Sequence, residues 1–180
     1  MNVLDNQKRI LWITRTAVLT ALLITLQWLT AGFGQYVTGT AVNCILAVAT
    51  LVCGVAGGIT IAAISPWIAF LLNIGPGLIQ IVPCISLGNI VLVVVLWLFI
   101  RKSDASAIKK IAGITVASIA KFVALYLLVV KAFVPLMGAA LPEKQIAVFT
   151  AMFSWPQLIT ALSGCTLAML ILPLIGRVKK

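Results

Sequence analysis

Long apolar runs separated by short polar or glycine-rich breaks make up this chain. The runs approach ~20 residues, the length of a membrane-spanning helix, and lack the two-residue alternation of a half-buried strand. The first run covers residues 14–33, and the polar segment Gly34-Gln35-Tyr36-Val37-Thr38-Gly39-Thr40 reads as a turn after it. A second run, 41–52, leads through the tight turn Gly54-Val55-Ala56-Gly57-Gly58 into a third, 59–72, where Pro66 predicts a kink. Residues 73–82 read as a loop or re-entrant turn. The fourth helix starts near Pro83, a residue suited to a first helical turn, and ends near Ile100. After the hydrophilic linker 101–110 come a fifth helix over 111–133, a loop over 135–144 and a sixth helix over 148–175. Ser154-Trp155-Pro156 can split an interfacial piece from the start of the sixth. The pattern predicts an all-α membrane protein, a six-transmembrane-helix bundle forming a single domain over residues 1–180. The second and third runs are short for spanning. Either the bilayer is thin there, or the glycine-rich flanks continue into the membrane, shielded by protein.

Composition agrees: 63% of residues are hydrophobic, 9% are charged, and mean hydropathy is +1.22. Such a chain cannot cover itself with polar surface, so lipid is its expected solvent. The basic start followed by an apolar stretch resembles a signal peptide, but the stretch runs on through Trp28 and Leu29 without a small-residue cleavage site, so a retained first helix is expected. Six spans put Lys8, Arg9, Arg15, Arg101, Lys102, Lys109, Lys110, Arg177, Lys179 and Lys180 on one side, against Lys131 and Lys144 on the other. Ten against two predicts cytoplasmic termini. These charges flank spans and form no basic face interleaved with aromatics, which argues against nucleic acid and for contact with anionic membrane lipid. There is no histidine, and the only acids are Asp5, Asp104 and Glu143. Proton relays and hydrolytic catalysis therefore lack their usual parts, and no enzyme activity, cofactor or metal is expected. Cys44, Cys53, Cys84 and Cys165 are scattered through apolar segments and read as buried thiols.

Lys121 is the most informative residue, lying about ten residues from either end of the fifth run. A central cation costs ~2.5–3.5 kcal/mol on insertion scales, and no acid lies in a helix interior to pair with it. Either the lysine snorkels or caps buried carbonyls, or it contacts a carboxylate or another acceptor on a ligand. A second group of polar side chains gathers towards the outer ends of the helices: Gln35, Tyr36, Asn43, Gln80, Asn89, Trp155 and Gln157, with Asn73 beside them. Each amide alone can cap a helix end; together they can recognise a polar small molecule. The third feature is Ala17-x-x-x-Ala21, a small-residue stripe that allows another helix to approach closely, within the bundle or from a partner.

Taken together, these features resemble the substrate-binding S components of energy-coupling factor (ECF) vitamin transporters. The resemblance rests on the size, the six-span plan, and Arg15 before the Ala17/Ala21 stripe. It also rests on Gly75-Pro76 running into Pro83-Cys84-Ile85-Ser86-Leu87-Gly88-Asn89, on Ala120-Lys121-Phe122, and on Gln157-Leu158-Ile159-Thr160-Ala161-Leu162. It implies capture of a water-soluble vitamin or related micronutrient from outside, with loops at 34–40 and 73–82 closing over it. It implies docking on a transmembrane coupling subunit through Ala17 and Ala21, ATP hydrolysis by two cytoplasmic ATPases, and residence in the bacterial plasma membrane. The chain has no phosphate-binding GxxxxGK[ST] loop of its own. Lys121 without a compensating acid favours pantothenate first and a flavin second; a cobalt or nickel carrier of this kind would use histidine near its N-terminus. The competing reading is a membrane scaffold or assembly protein without a small ligand. A self-sufficient secondary carrier is disfavoured by the missing acids.

Overall fold

The computed structural model describes residues 3–101, 106–137 and 140–177. Lys102, Lys179 and Lys180, counted in the charge argument, lie outside these, as does Asp104. The described residues form helices and no strands. In order these are α1 (Val3–Thr30), α2 (Gln35–Leu71), α3 (Val82–Ile100), α4 (Ala107–Leu125), a π-helical stretch (Tyr126–Phe133), α5 (Val134–Met137), α6 (Glu143–Met152) and α7 (Trp155–Arg177). Five helical stretches are long and apolar enough to cross a membrane: Asp5–Phe33, Gln35–Leu71, Ile79–Ile100, Ala107–Met137 and Glu143–Leu174.

The second of these is a hairpin rather than a rod. Gly54 has φ 77° and ψ 177°, a conformation open to glycine, and it breaks α2 into legs 35–53 and 55–71. A Cβ placed on Gly58 would lie 3.3 Å from the Cα of Thr50. In a continuous helix those residues would stand ~12 Å apart. The turn exposes backbone carbonyls, and the Trp12 indole of α1 donates to the Cys53 carbonyl at 2.9 Å. At the other end of the hairpin, Asn73 adopts φ 57° and closes the helix. Its N–H donates to the Phe70 carbonyl (3.0 Å), and the Ile74 N–H to that of Ala69 (2.8 Å), the paired bonds of a Schellman cap.

The first leg of α2 is the centre of the molecule. Every residue from Asn43 to Thr50 is buried, as expected of a helix that is apolar all round. α1, α3 and α7 pack on α2, and α4 packs on α3 and α7. Polarity is inverted relative to a water-soluble protein. Asn43, Thr50, Asn89, Lys121 and Thr160 are buried, while Val18, Leu22, Trp28, Ile111, Val123, Leu170 and Leu174 face out. The hydroxyls of Thr16, Thr20, Thr30, Thr50, Thr60 and Thr115 each donate to the carbonyl four residues earlier, which satisfies them without water. This distribution is compatible with a multi-pass membrane protein.

Several boundaries differ from the sequence reading, each for a backbone reason. α1 begins at Val3 rather than 14, because residues 5–13 contain no helix breaker and extend the helix as an exposed arm. The segment 34–40 is not a turn. Only Gly34 is non-helical (φ 84°), and α2 starts at Gln35, which makes the first leg longer than the run 41–52. The apparent shortness of the second and third runs came from assigning helical glycines and threonines to turns. α4 starts at Ala107, four residues before the expected start, with the Ser106 hydroxyl accepting from the Lys109 N–H at 3.4 Å. Helix continues through Pro135 to Met137, and α6 starts at Glu143, so the loop over 135–144 shrinks from both ends. The break near Ser154 is present, but the piece it separates is the ten-residue α6. The four cysteines are free thiols, with Cys44, Cys53 and Cys165 buried.

Candidate functional site

At the end of the bundle away from Gly54, the helices enclose a cavity of about 390 Å³. Both legs of α2 reach it, through Thr38 and Asn43 on the first and Pro66 and Ala69 on the second. The segment from Asn73 to Pro76 forms its rim, with Gly34 and Gln35 nearby. α3 contributes Asn89, α4 Lys121 and α7 Gln157.

Lys121 organises the polar wall. It is 3% exposed, and its ammonium donates to the Oδ1 atoms of Asn43 and Asn89, each at 2.6 Å. Asn43 turns its amide nitrogen to the Thr160 hydroxyl (3.4 Å), which donates to the Gln157 carbonyl (3.3 Å). The chain of contacts ties α2, α3, α4 and α7 together. Close backbone approach makes it possible: a Cβ on Gly164 would stand 2.6 Å from the Thr40 carbonyl oxygen and 2.8 Å from the Cys44 nitrogen. A Cβ on Gly39 would stand 3.0 Å from the Thr160 side chain. About one turn beyond Lys121, at Tyr126, the helix widens into the π-helical stretch, a local form that recurs beside functional sites.

An ammonium has three donors, and two are committed to amide oxygens. The described carboxylates, Asp5 and Glu143, are exposed, and neither pairs with Lys121. Among the described residues, the site therefore presents a positive charge beside a cavity with no carboxylate to compensate it. The amides on either side orient it and leave its charge unneutralised. Lys121 does not run along its own backbone or out to the lipid-facing surface.

No family model, curated protein or solved structure matches this chain. The site has to be read from its own chemistry.

Of the residues singled out in the sequence, the structure brings Lys121, Asn43, Asn89, Gln157 and Gln35 to the cavity. Tyr36, Gln80 and Trp155 are exposed and do not line it. Trp155 instead stacks on Phe122, with ring centroids 5.6 Å apart. Gln157 has a structural task as well, because its amide donates to the Met152 carbonyl at the end of α6 (3.1 Å). Ala17 and Ala21 are both exposed, so the bundle leaves their stripe uncovered. Gln27, Phe70, Phe153 and Thr160 were not anticipated. Gln27 had a signal, a lone amide within an apolar helix, the same one that marked Asn89. Thr160 had none, since threonines in apolar helices ordinarily bond their own backbone.

Proposed function

We propose that this chain is the substrate-binding S component of an ECF-type importer, and that it captures a small water-soluble micronutrient from outside the cell. The observation that carries this reading is Lys121, buried on two amide oxygens beside a 390 Å³ cavity with no carboxylate as partner among the described residues. Folding alone does not call for this cation, whose burial costs ~2.5–3.5 kcal/mol on insertion scales. In this reading the two legs of α2 each span, which makes six crossings. The basic bias then puts both termini and Gly54 in the cytoplasm and the cavity on the outer side. A carboxylate-bearing guest suits the lone ammonium, which keeps pantothenate ahead of a flavin. The cavity is of the size that encloses such molecules.

Transport is assigned to a separate coupling subunit and two cytoplasmic ATPases. The exposed Ala17 and Ala21 offer the surface against which a partner helix can pack closely. Ala17→Trp or Ala21→Trp is expected to abolish uptake in cells while leaving ligand affinity unchanged. Normal uptake by both variants would move the docking surface elsewhere.

The reading is tested by purifying the protein in mild detergent and identifying copurified small molecules by mass spectrometry. A single vitamin at near-equal molar ratio is the expected result. Failure to retain or bind any water-soluble vitamin would favour a membrane scaffold or assembly protein. The observation on that side is that the Lys121 bonds cross-link three helices, a role that needs no guest.

A further inference from the structure

Besides Lys121, the cavity has a polar side chain from a different helix whose amide oxygen has no partner among the described residues. Gln27 of α1 lines the cavity and is only 9% exposed. Its amide oxygen is buried and has no hydrogen-bond partner among the described residues. The other buried or half-buried polar groups in the second half of α1 and just before it are satisfied: Thr16, Thr20 and Thr30 each bond their own backbone. A leucine at position 27 would continue the apolar pattern and avoid burying an unsatisfied amide. Fold stability therefore gives no account of this residue.

α1 packs chiefly on α2, whereas α4, which carries Lys121, packs on α3 and α7. The two polar anchors thus reach one cavity from helices that share no major packing surface. Apolar side chains, among them Val42, Phe70 and Phe153, line the same space. We infer that Gln27 is the second anchor for the ligand, and that the ligand is an elongated molecule with a carboxylate at one end, for Lys121, and a group that both donates and accepts hydrogen bonds at the other, for the Gln27 amide. An amide, a ureido group or a hydroxyl meets that second requirement, because a primary amide offers one acceptor and two donors. A guest that pairs with Gln27 ties α1 to the rest of the cavity wall, so occupancy and the placement of α1 are linked. The inference rests on the small-molecule reading proposed above and specifies its ligand.

The test uses pantothenate and biotin as carboxylates with a donor–acceptor group, the alcohol analogue of pantothenate, and riboflavin, which has no carboxylate. Calorimetric titration is run on the wild-type protein, Gln27→Leu and Lys121→Ala. The expected result is that a carboxylate probe binds, and that Gln27→Leu weakens it at least about tenfold. The same substitution raises the melting temperature of ligand-free protein by about 2–4 °C, because a buried unpaired amide is gone. Gln27→Leu weakens acid and alcohol by the same factor, whereas Lys121→Ala removes the preference for the acid. Gln27→Met, which keeps an unbranched shape, supplies the same comparison if the leucine variant fails to fold. A probe that binds with equal affinity to wild type, Gln27→Leu and Gln27→Met overturns the role of Gln27 and leaves vitamin capture standing. Tight riboflavin binding with no response to the carboxylates overturns the proposed ligand class. Absence of binding by every water-soluble vitamin removes the inference together with the reading beneath it.

Discussion

Lys121→Ala is expected to weaken ligand binding by roughly thirtyfold or more and to leave the protein folded. Truncating one partner of a buried, hydrogen-bonded charge pair typically costs about 2–5 kcal/mol, and the ligand's acceptor would face apolar wall where the ammonium stood. The folding side nearly balances. Removing the cation relieves an insertion penalty of ~2.5–3.5 kcal/mol. Against that, the Oδ1 atoms of Asn43 and Asn89 lose their donor, at about 1–3 kcal/mol each where no water reaches them. Both asparagines line the cavity, so water can take over part of that bonding. Titration against the copurified ligand, with detergent-solubilised yield as the folding control, measures both. Unchanged affinity would take Lys121 out of the site. Loss of folded protein in Lys121→Ala and in the stem-preserving Lys121→Met would make the lysine a structural tie and favour the scaffold.

Gly164→Val is expected to be the most destabilising single substitution near the site. The added Cβ would meet the Asn43 Cβ at 2.6 Å, the Thr40 carbonyl oxygen at 2.6 Å and the Cys44 nitrogen at 2.8 Å. Two of these are backbone atoms of α2, which cannot rotate away, so α7 must move as a whole. Overpacking of this kind costs about 1–3 kcal/mol or more, and in a chain of this length each kcal/mol lowers the melting temperature by roughly 2–4 °C. Moving α7 also separates Thr160 from Asn43, so weaker ligand binding should accompany the lower melting temperature. Gly88 is the contrasting position. Its Cβ would come within 2.5 Å of Leu125, but only of side-chain atoms, so Gly88→Ala should cost less as the leucine changes rotamer. Gly32 has nothing within 4 Å, and Gly32→Ala serves as the neutral control. Equal stability of all three variants would show that α2 and α7 are not held at the distance described.

Helical regions were legible wherever apolar runs were long, and least so where glycine and threonine interrupt them. Residues 34–40 read as a turn because glycine and threonine are weak helix formers, and the start of α4 read as linker because its lysines interrupt the apolar pattern. For residues 34–40, in an apolar setting, an unpaired peptide group is costly and the helix absorbs them; at the start of α4 the Ser106 cap lets the helix begin among exposed residues. Gly54 was read within a turn, but the single-residue reversal there depends on its positive φ and on Trp12 reaching the Cys53 carbonyl. Sequence spacing shows neither.

The site divides along the same line. A lysine in the middle of an apolar helix, with no acid in any helix interior to match it, is a property of the sequence, because both the position of the charge and the lack of a counter-charge are read from residue types alone. So are the amides at 43, 89 and 157, and the inverted polarity that calls for lipid. Which of the polar residues share a cavity was decided by packing. Asn43 and Asn89 come within 2.6 Å of Lys121 because α2, α3 and α4 meet there, while Gln80, Tyr36 and Trp155 are turned to the surface. Thr160 joined them through the close approach of α7 to α2 at Gly164 and Gly39, and Gln27 through the packing of α1 on α2. That approach is a relation between distant parts of the chain, set by which backbones can touch, and no local pattern encodes it.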